Sequence, residues 1–174
     1  MKKDSEEQFE VVSASSQQTN KLCWTLDKPE STVSLGTRLT KKFPNLSILL
    51  LNGPLGAGKT TLVKGIAKSL SIKEPITSPT FPLAQHYPSG SPPLIHLDLY
   101  RIEETGAANE FFLQEEEESQ AMGALMVVEW PERLSLAMPD AWRGKLEYSS
   151  GNKTRFFQLI PPLDSDNKFS MSSR

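Results

Sequence analysis

Gly53-Pro54-Leu55-Gly56-Ala57-Gly58-Lys59-Thr60 is a full match to GxxxxGK[ST], and its flanks decide how it reads. Upstream, Ser47-Ile48-Leu49-Leu50-Leu51 is a short, continuously apolar run ending at Asn52, as expected of a strand covered on both faces. Downstream, Leu62, Val63, Ile66, Ala67 and Leu70 mark one face of a helix that begins near Lys59. Strand, glycine-rich turn and helix in that order make a phosphate cradle. Glycines at 53, 56 and 58 let successive backbone N–H groups turn inward around phosphate oxygens without a Cβ clash. The helix N-terminus adds the positive end of its dipole. Lys59 is expected to bridge the β- and γ-phosphates of a nucleotide, and the Thr60 hydroxyl to take a Mg²⁺ position.

Outward from the cradle, helix and strand periods alternate, which predicts an α/β layer fold. Leu94-Ile95-His96-Leu97 and Leu125-Met126-Val127-Val128 read as two more buried strands. Val33, Leu35 and Leu39 fall near helical spacing, with Ser31 and Thr32 as candidate caps. A helix is also expected over Asn109–Gln120. Its Glu115-Glu116-Glu117-Glu118 run points all round that helix, forms no chelating face, and reads as a solvated segment. Lys145–Tyr148 and Arg155–Ile160 flank Ser149-Ser150-Gly151-Asn152, a hairpin turn. The expected fold is a P-loop NTPase-like sheet with flanking helices and a C-terminal β-hairpin.

With 174 residues and 37% hydrophobic residues, one domain with a modest core is expected. Residues 1–27 and 163–174 are polar and read as loose tails, leaving 28–162 as the P-loop domain. A net charge of −2 provides no electrostatic reason to bind nucleic acid alone, so any RNA would be held by partners. The single cysteine, Cys23, can form neither an internal disulfide nor a Cys-rich zinc site. The first residues lack the apolar stretch of a signal peptide, and no run approaches the ~18 apolar residues of a membrane helix. A cytoplasmic protein without membrane contact is expected.

A phosphate cradle of this type needs an acid at the end of a neighbouring strand. Asp98 directly follows Leu94–Leu97, and Glu129 follows Leu125–Val128 in the same way. Both are candidates for metal or water positioning; a strand-end Asp is otherwise a turn residue. Ser78-Pro79-Thr80-Phe81 lies in a Pro-rich loop, where a hydroxyl could sense the γ-phosphate as switch loops do. His96, on a buried strand, reads as a hydrogen-bonded core histidine and His86 as a loop residue. Trp130 is compatible with the core or with a place near the nucleotide.

Together these stretches resemble the TsaE family. The resemblance is carried by Leu55-Gly56-Ala57-Gly58-Lys59-Thr60-Thr61-Leu62, Ser78-Pro79-Thr80-Phe81, His96-Leu97-Asp98-Leu99-Tyr100-Arg101 and Glu129-Trp130-Pro131-Glu132-Arg133. They occur in the family's order, and the likeness covers about Glu30 to Leu159. It implies a Mg²⁺-dependent ATPase working with TsaB and TsaD, of which TsaD transfers threonylcarbamoyl to adenosine 37 of tRNAs reading codons that begin with A. Contact with tRNA would be indirect, through the complex, and activity of the isolated chain weak. By motif match, Lys59, Glu129 and Thr80 would serve catalysis. Gly53, Gly56, Ala57, Gly58, Lys59, Thr60, Thr61, Asp98, Trp130, Thr32 and Arg155 would hold ATP. Thr60, Glu129 and Asp98 would serve Mg²⁺. The segment Glu103–Gln120 departs from the family's usual Glu-Leu-Glu-rich pattern.

Other readings make different demands. A small-molecule kinase usually needs an Arg-rich lid, whereas Arg38, Arg101, Arg133, Arg143 and Arg155 are scattered. A guanine-specific [NT]KxD is absent, because Asn152-Lys153 and Asn167-Lys168 lack the aspartate. A nucleotide-gated binding module without turnover stays open at this point.

Overall fold

The structure, a computed structural model, describes residues 21–79, 83–149 and 154–162. Chain order runs β1 (Leu22–Leu26), α1 (Pro29–Lys42), β2 (Ile48–Asn52), α2 (Lys59–Ser69), β3 (Ala84–Tyr87) and β4 (Leu94–Asp98). Then follow α3 (Thr105–Met122), β5 (Leu125–Glu129), a single 3-10 turn (Pro131–Arg133), β6 (Trp142–Tyr148) and β7 (Arg155–Ile160). The strands form one sheet in the order β1-β7-β6-β2-β5-β4-β3. Its centre, β6-β2-β5-β4, is parallel, with β3 antiparallel at one edge and the β7-β1 pair antiparallel at the other. This is a P-loop NTPase-like α/β fold.

Side chains on a strand alternate between faces, and the apolar strands divide accordingly. Leu49, Leu51, Leu94, Leu125 and Val127 share one core cluster with Leu35 and Leu39 of α1 and Leu62, Val63 and Ile66 of α2. Leu50, Ile95, Leu97, Met126 and Val128 face the other way and share a second cluster with Phe112 of α3. Helices cover both faces, which is why these strands read as unbroken apolar runs.

α1 and α2 touch backbone to backbone. A Cβ on Gly65 would lie 2.1 Å from the Val33 carbonyl oxygen, and one on Gly36 2.3 Å from that of Leu62. This approach seats α2, and with it the cradle, against the sheet. Parallel pairing then brings three strand ends together: Leu51 is in register with Glu129, and Asp98 with Glu129. Ligand sites of open α/β sheets lie at such carboxyl ends.

The structure departs from the sequence reading at several points. Leu22–Leu26, expected inside an N-terminal tail, is β1, paired with Arg155–Leu159 and tied down by Leu26 and by the Trp24–Phe157 ring contact. Five residues of alternation are too short a signal beside so polar a neighbourhood, and the partner strand is more than a hundred residues away. Cys23 is therefore a half-buried strand residue. Residues 1–20 and 163–174 lie outside the described residues. So do Ser150–Asn152 of the expected turn, although β6 and β7 pair antiparallel as a hairpin requires.

α1 begins two residues before the expected caps. Pro29 opens it after Lys28, with no side-chain cap, because a proline's fixed φ and missing N–H suit a first turn. Thr32 is instead buried within the helix. α3 runs from Thr105 and stops at Gly123, whose left-handed backbone (φ 60°) caps it. The Glu run is not wholly solvated. Ala108, Phe112, Glu115 and Ser119 form the inward stripe of α3, and Glu115 Oε2 lies 2.6 Å from His86 Nε2. His86 accordingly sits on edge strand β3 rather than in a loop. Among the described residues, no helix is long and apolar enough to cross a membrane.

Candidate functional site

The cradle begins where β2 ends. Gly53 takes φ 148°, and a Cβ there would stand 2.4 Å from the Leu146 carbonyl oxygen of β6. Gly58 takes φ 106° as the residue before α2, and its carbonyl accepts the Leu62 N–H at 2.9 Å. Side chains rarely adopt either conformation, so the loop's path is built on glycine. Ala57 turns its methyl into the core, and its N–H is spent on the Pro54 carbonyl at 3.2 Å. It therefore supports the loop from behind.

Lys59 is buried, with Nζ donating to the carbonyls of Gly53 at 2.7 Å and Pro54 at 3.2 Å. The same ammonium lies 4.1 Å from the centre of the Trp130 ring, within cation–π range. Burial pushes its pKa below the ordinary lysine range, while Glu129, Glu132 and Asp98 push back. The ammonium is thus held between its own loop carbonyls and the Trp130 ring.

Thr60, in the first turn of α2, donates its hydroxyl to Glu129 Oε1 at 2.8 Å. Glu129 Oε1 is also 2.9 Å from His96 Nε2. Asp98 is held from two sides: Ser78 Oγ donates to Oδ2 at 2.7 Å and the Tyr100 N–H to Oδ1 at 3.0 Å. Asp98 and Glu129 are almost wholly buried, at 4% and 3% exposure. Isolated, such carboxylates would be costly; here hydroxyl, amide and imidazole donors and the nearby Lys59 compensate them.

These groups enclose a cavity of about 320 Å³, lined by Gly56, Lys59, Thr60, Asp98, Glu129 and Trp130 among others. Thr61, Tyr100 and Arg101 also reach it. A second cleft of equal volume lies beside Trp24 and α1, but neither an acid nor a hydroxyl lines it. The first cavity brings the Lys59 ammonium, the Thr60 hydroxyl and two buried carboxylates together. Its metal-capable donors are one hydroxyl and two carboxylates, an all-oxygen set suited to a hard cation such as Mg²⁺. No three or more His, Cys, Asp or Glu among the described residues cluster tightly enough to hold a metal unaided.

Most expected site residues therefore converge, and the exceptions are specific. Thr32 and Arg155 stand beside Gly58: a Cβ there would meet Thr32 Cγ2 at 3.9 Å and Arg155 Cδ at 3.8 Å. Neither lines the cavity, nor do Gly53 and Ala57. Thr80 lies outside the described residues; its neighbour Ser78 is the loop hydroxyl seen on Asp98. Trp130 is both things its sequence allowed, packed against the α3-side core and leaning on the Lys59 ammonium. A left-handed backbone (φ 61°) before Pro131 turns it there. Sequence reasoning missed Tyr148, whose hydroxyl donates to the Leu55 carbonyl at 3.2 Å and pins the loop from the hairpin. It also missed Tyr100, whose place two residues after an aspartate is the usual spacing for a side chain–backbone turn.

A glycine-built loop at the end of a central parallel strand, faced by acids on two neighbouring strand ends, places the chain in the P-loop NTPase-like fold class. Comparison with known proteins narrows the class. A family model described as "Threonylcarbamoyl adenosine biosynthesis protein TsaE" matches residues 26–156. The chain belongs to the TsaE family. It is 46% identical over 105 residues to the tRNA threonylcarbamoyladenosine biosynthesis protein TsaE of a Nostoc species, covering 60% of this chain and 65% of that one. With the protein of the same description from Mycobacterium tuberculosis it shares 42% identity over 118 residues, 64% of this chain and 69% of that one. The crystal structure of Bacillus subtilis YdiB superposes with a TM-score of 0.66 at 27% identity, over 90% of this chain and 93% of that one.

Proposed function

We propose that the protein is a cytoplasmic Mg²⁺-dependent ATP hydrolase that supports threonylcarbamoyl transfer to adenosine 37 of tRNAs reading codons that begin with A. It would act with TsaB and TsaD and meet tRNA only through them. The observation that carries the hydrolase reading is the Thr60–Glu129 hydrogen bond, which joins the cradle to a buried strand-end acid. The role in threonylcarbamoyladenosine synthesis is supported by the descriptions that its relatives bear.

Bound Mg²⁺–ATP supplies the scissile phosphoanhydride and a charge that offsets what develops on the phosphoryl oxygens. The protein's residues do the rest by position. Lys59 moves its ammonium from the Gly53 and Pro54 carbonyls to the phosphates. Thr60, its hydroxyl freed from Glu129, and Asp98, held by Ser78 and Tyr100, would hold the metal. Glu129, released from Thr60, accepts a hydrogen bond from the attacking water and orients it. Trp130 excludes bulk water from the Lys59 side.

The reading is tested by incubating the chain with labelled ATP alone, then with TsaB–TsaD, then with a metabolite pool. Label released as free phosphate and stimulated by TsaB–TsaD is expected. Label on a small molecule, with no response to the partners, would overturn the reading and make the protein a kinase.

A further inference from the structure

His96 lies on β4 two residues before Asp98, on the same face of the sheet, and is completely buried. Its Nε2 is 2.9 Å from Glu129 Oε1. With Glu129 as the carboxylate its oxygens only accept, and Nε2 then carries the proton of this bond. Nδ1 is buried without a hydrogen-bond partner among the described residues, so the ring has one polar contact and it is spent on Glu129. Both hydrogen bonds described for the Glu129 carboxylate fall on Oε1, one from Thr60 and one from His96. Oε2 takes neither, and Glu129 lines the cavity.

The two donors differ in what else they can do. Thr60 stands in the cradle and has a second task there. His96 is a rigid ring enclosed in the sheet and has none. We propose that His96 is a positioning residue for Glu129: its Nε2–H is the fixed anchor of Oε1, and the Thr60 hydroxyl is the exchangeable one. The inference rests on the hydrolase reading above. When Thr60 turns to the metal, Oε1 loses one donor, and His96 alone still sets the rotamer that presents Oε2 to the attacking water. Without His96, the glutamate regains the rotamer freedom that folding removed, and the water loses its acceptor.

Two variants separate positioning from packing. His96→Leu removes the donor and keeps the bulk; His96→Gln keeps an N–H near the Nε2 position. With the partner subunits present, His96→Leu is expected to lower kcat by about 10- to 100-fold, with ATP affinity within about threefold of wild type. His96→Gln is expected to recover most of that loss. A readout independent of turnover is the long-range ¹H–¹⁵N spectrum of the imidazoles in the untagged chain, whose two histidines are told apart with His86→Gln. An Nε2–H tautomer at His96, shifted in Glu129→Gln, is expected. An Nδ1–H tautomer, or a signal indifferent to Glu129→Gln, overturns the proposal even if His96→Leu fails to fold. Unchanged kcat in His96→Leu overturns it, as does an equal loss in both variants. Wild-type protein that binds ATP and never hydrolyses it with partners present removes the hydrolase reading and this role with it. Normal wild-type turnover with a failed His96 series removes this role alone.

Discussion

The Thr60 hydroxyl and Glu129 Oε1 are joined across 2.8 Å, tying the first turn of α2 to the last residue of β5. The two residues are 69 positions apart in sequence, and the register of β2 against β5 is what brings them together. A bond between cradle and acid in the ligand-free protein must break when the hydroxyl is needed elsewhere. On the proposed hydrolase reading, nucleotide binding and the freedom of Glu129 would thereby be linked.

Exchanging the two strand-end acids for amides separates their roles. Glu129→Gln is expected to keep nucleotide binding and to lose hydrolysis by ~10²-fold, the low end of what a positioned acid–base group contributes. Asp98→Asn is expected to weaken Mg²⁺-dependent binding first. Titration calorimetry with and without Mg²⁺, beside phosphate release, distinguishes them. Wild-type rates in Glu129→Gln would leave this carboxylate without a part in the chemistry.

Lys59→Met is expected to abolish stabilisation by ATP. A ligand at 100 times its Kd adds about 2.7 kcal/mol, a shift in Tm that wild type shows and the variant does not. The same pair reports on the buried ammonium. Because burial lowers the folded-state pKa of Lys59 below the ordinary lysine value of 10.5, the unfolded chain binds more protons in that window. Nucleotide-free wild type therefore gains stability relative to Lys59→Met as pH rises from the lowered pKa toward 10.5. Urea unfolding across that range checks the sign.

Gly65→Ala and Gly106→Ala make a contrasting pair. The added methyl at Gly65 meets the Val33 carbonyl oxygen at 2.1 Å and drives α1 from α2, costing about 1–3 kcal/mol or more. At Gly106, in the first turn of α3, nothing lies within 4 Å, so the change is expected to be neutral or stabilising by up to about 1 kcal/mol. Equal unfolding midpoints for the two variants would contradict the close helix contact.

Within the acidic run, Glu115 and Glu117 are expected to behave differently. Glu115 is buried against His86, whereas Glu117 is exposed. Glu115→Ala is expected to cost about 1–2 kcal/mol in urea unfolding, and Glu117→Ala less than about 0.5 kcal/mol. Similar losses in both would mean that the His86 contact contributes nothing to stability.

What the sequence determined by itself was the local structure around the cradle. The apolar run before Gly53, the glycine spacing and the amphipathic face after Lys59 each act within a few residues. Strand, loop and helix therefore follow from steric freedom and period alone. The acids at Asp98 and Glu129 were legible for the same reason, since each directly follows a run of buried strand residues. Tertiary structure decided the pairings. Nothing near Leu22–Leu26 announces that β7 will pair with it, and nothing near Glu115 says that His86 will face it. The same holds for His96, which could be read as buried but not as bound to Glu129. A hydrogen bond between residues 33 positions apart depends on which strands lie side by side and in what register. Those are settled by how α1, α2 and α3 cover the two faces of the sheet, and no window of sequence contains that.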